Sequence, residues 1–235
     1  MSTGKPDKFL ISFSGIDGSG KTTYAEYVNT MLRKKGIKCT YVYGRLEPFL
    51  LKPFIHLGRK ILLRDKDMFH DYKDYSDEKK KKINEHPLLF KVYYYIMLLD
   101  YLIQLLFRVK LPFMMGRSII CDRYIFDTVV TDLSSDLNYS DQRIKKEIDK
   151  FFRFFPEPTM SFFIDVPVDV AFSRKDDTPS IKYLEERVLN YRNVASSYNM
   201  TVLDGSCDMN EIKDFLLREI SEKVVKLNES NGNRY

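Results

Sequence analysis

The chain has 235 residues, a net charge of +5 and 44% hydrophobic residues, which excludes a disordered chain and leaves room for one α/β domain. The basic excess is mild, and its one dense run, Lys79–Lys82, lacks the interleaved aromatics of a nucleic-acid stripe, so no nucleic-acid partner is expected. Three widely spaced cysteines, Cys39, Cys121 and Cys207, exclude a disulfide framework and fit a reducing cytoplasm.

The first eight residues have no apolar run, so no signal peptide is expected ahead of the first strand. Phe9–Ser14 reads as a buried strand, short, apolar and bounded by Gly15. A helix follows over Lys21–Lys35, with Gly36 where a left-handed C-terminal cap belongs. Ile37–Tyr43 reads as a second strand, closed by Gly44. The region 49–115 reads as largely helical, and its segment Pro87–Phe107 is strongly apolar. Lys91, Asp100 and Gln104 interrupt that segment, which argues for a buried central helix rather than a stable membrane insertion.

Ser118–Asp122, Met160–Val166 and Met200–Asp204 read as three further strands. Helical patterns occupy 123–153 in two pieces, then 168–174, 181–197 and 208–226, and a polar tail over 228–235 reads as frayed. No repeat or Gly/Ser linker divides 1–235, so one domain is expected. Alternating strands and helices predict right-handed crossovers and a doubly wound, parallel, five-stranded α/β sheet.

The strongest chemical signal is Gly15-Ile-Asp-Gly-Ser-Gly-Lys-Thr22, between a strand and a helix. Its glycines, Gly15, Gly18 and Gly20, let backbone N–H groups close around a pyrophosphate, and the helix start adds its positive end. Lys21 is placed to reach the β- and γ-phosphates of ATP, and the Thr22 hydroxyl to ligate Mg²⁺. A P-loop alone does not define a kinase, but no Asn-Lys-x-Asp guanine motif is present and the chain is short for a large ATPase. Asp122, leaving the third strand, is a second candidate Mg²⁺ ligand. Arg123 beside it can offer a planar fork to an acceptor phosphate.

Phe13–Thr23, Cys121–Tyr124 and Phe163–Ala171 resemble the three anchor segments of thymidylate kinases, in a likeness spanning about residues 9–225. That resemblance implies ATP- and Mg²⁺-dependent phosphorylation of dTMP to dTDP, in cytoplasmic nucleotide metabolism. It implies that Gly15, Asp17, Gly18, Ser19, Gly20, Lys21, Thr22 and Thr23 surround the nucleotide phosphates. Asp204-Gly205-Ser206 would then lie against the donor adenine. The acceptor side would be formed by Asp17 near the sugar 3′ hydroxyl, Arg123 and Arg45 on the phosphate, Tyr124, and Phe90 and Tyr94 on the pocket helix of a 49–115 acceptor region. A lid over 174–182 would supply the catalytic cation from Arg174 or Lys175, with Arg187 as the alternative. The family also forms homodimers.

Three departures bear on the acceptor. Arg45-Leu-Glu-Pro48 replaces the family's Arg-Glu-Pro-Gly, Gly18 follows Asp17 where some members have arginine, and the helix with Phe90 and Tyr93–Tyr95 lacks the usual arginine. Asp100 is an alternative polar group for a sugar or base. A kinase for a deoxynucleoside or another small metabolite therefore stays open, as does a non-catalytic nucleotide-binding module.

Overall fold

Strand β1, Leu10–Ser14, is buried along its whole length and pairs in parallel with β3, Ser118–Asp122, on one side and β4, Met160–Asp165, on the other. Strand β2, Cys39–Tyr43, and strand β5, Thr201–Asp204, form the edges, giving the order β2-β3-β1-β4-β5, all parallel. The computed structural model describes residues 8–46, 52, 85–134, 139–175, 178 and 180–232, of which 89–90 and 225–232 by backbone alone. Most of the expected 49–115 acceptor region thus lies outside the described residues.

The two-residue period of the strands sends neighbours to opposite faces. Ile11, Phe13, Ile120, Phe162 and Ile164 face one layer, where helix α1, Lys21–Lys34, and the terminal helix cover them with Val28, Leu32, Leu216 and Ile220. Leu10, Ile119, Cys121 and Phe163 face the other, under Tyr101, Val109, Ile125, Ile148 and Tyr191. Each such side chain contributes about 1.5–3 kcal/mol on burial. Helix α1 stops as predicted: Gly36 sits at φ +80°, and the Ile37 N–H bonds the Leu32 carbonyl at 3.0 Å.

Helix α2, Pro87–Leu105, continues through a π-helical turn, Leu106–Lys110, into the short α3, Leu111–Met114. Its expected role as a buried central helix is corrected. Leu88, Val92, Tyr95, Leu99 and Phe107 are exposed, whereas Asp100, Tyr101, Gln104 and Leu105 are buried. Among the described residues one face docks on the body, and two of the polar residues that interrupt the apolar run, Asp100 and Gln104, lie on that face. No described helix is long and apolar enough to cross a membrane.

Beyond β3, helix α4 covers Ile125–Asp127 and passes into a second π-helical stretch, Thr128–Leu133. Then come α5, Asp141–Phe152, α6, Val168–Ser173, α7, Ile181–Ser197, and α8, Met209–Gly232. Helix α8 runs into the stretch read as frayed, 228–235, because extending an existing helix costs far less than nucleating one.

Candidate functional site

The sheet order reverses its direction of travel between β1 and β3, and open parallel sheets take ligands at the carboxyl ends of the strands beside such a point. The loop Gly15–Gly20 leaves β1 there and Asp122 ends β3 alongside it. Gly18, at φ +82°, lies so near the Ala171 carbonyl of α6 that a Cβ would collide with it. Gly44 likewise lets the end of β2 approach the Arg123 carbonyl, and its N–H bonds the Asp122 carbonyl at 2.9 Å.

Lys21 is buried and its Nζ donates to the carbonyls of Gly15 at 2.7 Å and Ile16 at 2.6 Å. Burial, then the Arg123 charge, pull its pKa down to about 7 against the support of Asp127, Asp17 and Asp122. Ser19 is buried in the loop, and Thr22 and Thr23 open to solvent at the helix start. The Thr22 hydroxyl donates to Asp122 Oδ2 at 2.6 Å. Asp122 Oδ1 is buried without a hydrogen-bond partner among the described residues. A hydroxyl and a carboxylate with one unmatched oxygen are hard donors that suit Mg²⁺ completed by phosphate oxygens and water.

Arg123 adopts a left-handed backbone, φ 67°, uncommon outside glycine and costing on the order of 1–2 kcal/mol. The conformation aims its guanidinium back over the P-loop, where Nη2 donates to Asp17 Oδ1 and Nη1 lies 3.9 Å from Asp127 Oδ1. Burial alone would raise the Asp17 pKa, but Arg123, Lys21 and Arg45 hold it well below the usual carboxylate range. Asp127, fully enclosed, is pushed up by burial despite the opposing charges of Arg123 and Lys21. Its oxygens accept from the Ser14 hydroxyl at 2.7 Å, the Tyr191 hydroxyl at 2.8 Å and the Tyr124 N–H at 3.3 Å. Burial and Arg123 oppose the charge of Arg45, yet Asp132, Asp17 and Tyr183 leave its pKa raised overall. Arg45, Arg123 and Asp17 thus share one electrostatic neighbourhood.

The other expected contacts divide. Tyr124 is a correction: it is fully buried, with its hydroxyl on the Pro156 carbonyl at 3.0 Å, because the left-handed turn at Arg123 sends the next side chain into the core. Tyr94 is half-buried and hydrogen-bonded to Tyr139, with Glu147 and Tyr95 as its other electrostatic neighbours rather than the phosphate-site residues. The Phe90 side chain lies outside the described residues. Arg174 donates to the Gly205 carbonyl at 3.3 and 3.4 Å. That loop is shaped by Asp204, which accepts from the Ser206 N–H at 2.9 Å. Lys175 is half-buried, while Arg187 is buried on α7 with its guanidinium 3.6 Å from the centre of the Tyr183 ring. Of the stretch 174–182, residues 176, 177 and 179 lie outside the described residues.

Sequence reasoning missed Tyr41, Ser14, Asp127 and Tyr191. Only Asp127 carried a signal, as a carboxylate four residues after Arg123 in a helical segment, where i and i+4 meet.

No family model matches the chain. It is similar to the probable thymidylate kinase 1 of Saccharolobus solfataricus, 30% identical over 224 residues, covering 92% of this chain and 98% of that protein. It is also similar to the probable thymidylate kinases of Sulfurisphaera tokodaii, 28% identical over 93% of this chain and 94% of that protein, and Archaeoglobus fulgidus, 24% over 95% and 100%.

Proposed function

The chain belongs to the thymidylate kinase family, and from that premise we propose that it transfers the γ-phosphoryl group of ATP to a nucleoside monophosphate, dTMP, giving ADP and dTDP. The observation that carries this reading is the convergence of Lys21, Asp17 and Arg123 at the adjoining ends of β1 and β3. The planar fork of Arg123, paired with Asp17 beside the P-loop, suits an acceptor that carries its own phosphate.

The triphosphate lies along the backbone amides that precede α1, and Lys21 leaves the Gly15 and Ile16 carbonyls for the β- and γ-phosphates. Arg123, supported by Arg45, holds the acceptor phosphate in line, while Asp17 turns to the sugar 3′ hydroxyl. An acceptor phosphate oxygen attacks the γ-phosphorus as the bond to the β–γ bridging oxygen breaks, and its electron pair leaves on ADP. The attacking oxygen is already anionic, so alignment and charge neutralisation outweigh a strong base. Thr22 and Asp122 would hold Mg²⁺, which, when bound, neutralises charge on the β- and γ-oxygens. Arg174, on the carbonyl of the donor-base loop, Lys175 beside it, and Arg187, on Tyr183, are the candidates for the further cation that stabilises the transferring group.

A second copy of the chain is proposed to cover the exposed apolar stripe Leu88, Val92, Tyr95 and Leu99, spaced for one side of the α2 helix. The reduced thiols Cys39, Cys121 and Cys207 support a cytoplasmic setting.

ATP consumption across a panel of nucleosides and monophosphates tests the acceptor, with dTMP expected to turn over fastest. Turnover of thymidine but not dTMP would move the reading to a nucleoside kinase. Tight ATP binding with no acceptor-stimulated turnover would replace it with a nucleotide-binding module. Mass measurement in solution tests the dimer.

A further inference from the structure

Tyr41 lies on β2, an edge strand with no part so far in the chemistry. Its ring packs with Tyr27, Ile37 and Cys39 against the core beneath α1. Its hydroxyl donates to Asp122 Oδ2 at 2.9 Å. In register Tyr41 pairs with Ile120, so the contact with Asp122 is a diagonal one to the next residue on that face, within reach of a long aromatic side chain.

Thr22 donates to that same oxygen at 2.6 Å. Two hydroxyls on Oδ2 oppose rotation of the carboxylate, which would otherwise exchange its oxygens. They leave Oδ1 as the oxygen with no hydrogen bond among the described residues. Because the Thr22 proton is directed at Asp122, the lone pairs of its Oγ1 are turned away from that carboxylate and available to a cation. Both oxygen donors are therefore oriented by an arrangement that includes Tyr41.

The geometry points to Tyr41 as a positioning residue for the divalent cation: its hydroxyl locks the Asp122 carboxylate and, through it, the Thr22 hydroxyl. The inference rests on the reading of Thr22 and Asp122 as the pair that holds Mg²⁺. Hydrogen bonds behind a metal ligand commonly contribute tenfold or more to metal affinity.

The test is binding of fluorescent N-methylanthraniloyl-ADP to the full chain, in EDTA and along a Mg²⁺ titration. Tyr41→Phe removes one oxygen and keeps the ring, so packing on the edge strand is preserved. Its nucleotide affinity in EDTA should equal that of the wild type, while the Mg²⁺ concentration at half-effect should rise about tenfold. An unchanged Mg²⁺ midpoint overturns the inference, and so does an equal loss in EDTA, which would make Tyr41 a support of the loop itself. Asp122→Asn, run in parallel, should abolish the Mg²⁺ effect. If Asp122→Asn loses it and Tyr41→Phe does not, Tyr41 alone is wrong. If Asp122→Asn keeps it, the metal pair is wrong and the inference goes with it.

Discussion

Arg123 and Asp17 form a buried ion pair across the floor of the site, and each is the other's strongest opposite charge. Both side chains are also the ones proposed to meet the acceptor. The acceptor phosphate and sugar must therefore replace an internal contact, which makes their binding an exchange of partners rather than the filling of an open socket.

Arg123→Ala should leave Asp17 and Asp127 with Lys21 as the cation they share and without the guanidinium that pairs with them. Removing one partner of a buried pair costs about 3–5 kcal/mol, so chemical denaturation should show a loss of that order at neutral pH. Steady-state kinetics should show the acceptor KM rising at least about a hundredfold. Arg123→Lys should recover part of the stability and little of the KM, because an ammonium lacks the two-pronged fork. Wild-type acceptor kinetics in Arg123→Lys would count against the phosphate role.

The Asp17 pair has a pH signature. Its pKa in the folded chain lies below the unfolded value of 3.8, so the unfolded chain binds the proton more readily. The stability it contributes is present above that value and is lost as the pH falls below it. Denaturation midpoints measured downward from pH 5 should drop steeply for the wild type. Asp17→Asn should start lower at neutral pH and fall less steeply in acid; parallel curves would refute this account.

Gly18→Ala forces a methyl group toward the Ala171 carbonyl at a backbone φ of +82°. The loop must move off α6 or the chain must absorb strain of about 1–3 kcal/mol. Calorimetric titration with ATP should show at least about a tenfold weaker affinity, with circular dichroism unchanged.

The two arginines proposed as further catalytic cations should separate kinetically. Arg174 meets a single backbone carbonyl at Gly205, and losing one such bond is a matter of about 1 kcal/mol. Arg174→Ala should raise the ATP KM roughly fivefold and spare the acceptor KM. Tyr183, on which Arg187 stacks, feels the charges of Asp17 and Arg45. Arg187→Ala should therefore lower kcat more than Arg174→Ala does, and equal kcat values would remove Arg187 from the reaction.

The part of the molecule legible in the sequence is local. The loop from Gly15 to Thr22 and the strands are short segments whose composition and order determine their structure, and the structure places them within two residues of expectation. The helix carrying Asp100 departs from expectation because an apolar run does not say which side of it the body covers. Tyr124 departs because one left-handed residue, Arg123, reverses the direction of the next side chain. Tyr41 leaves no trace in its neighbourhood. Its contact with Asp122 joins positions 81 residues apart, and only the register of β2 on β3 brings them together.

The π-helical stretch Thr128–Leu133 amounts to an α-helix carrying one surplus residue. Deleting a single residue there would let the turn close to α-helical form while the chain after it kept its place, so the loss would be confined to the stretch itself. Thr131, now 2.9 Å from the Tyr191 hydroxyl, and Asp132, which supports the charge of Arg45, lie within that stretch and are the contacts such a deletion would displace. The support that Tyr191 and Arg45 receive from this stretch thus depends on chain length as much as on residue identity.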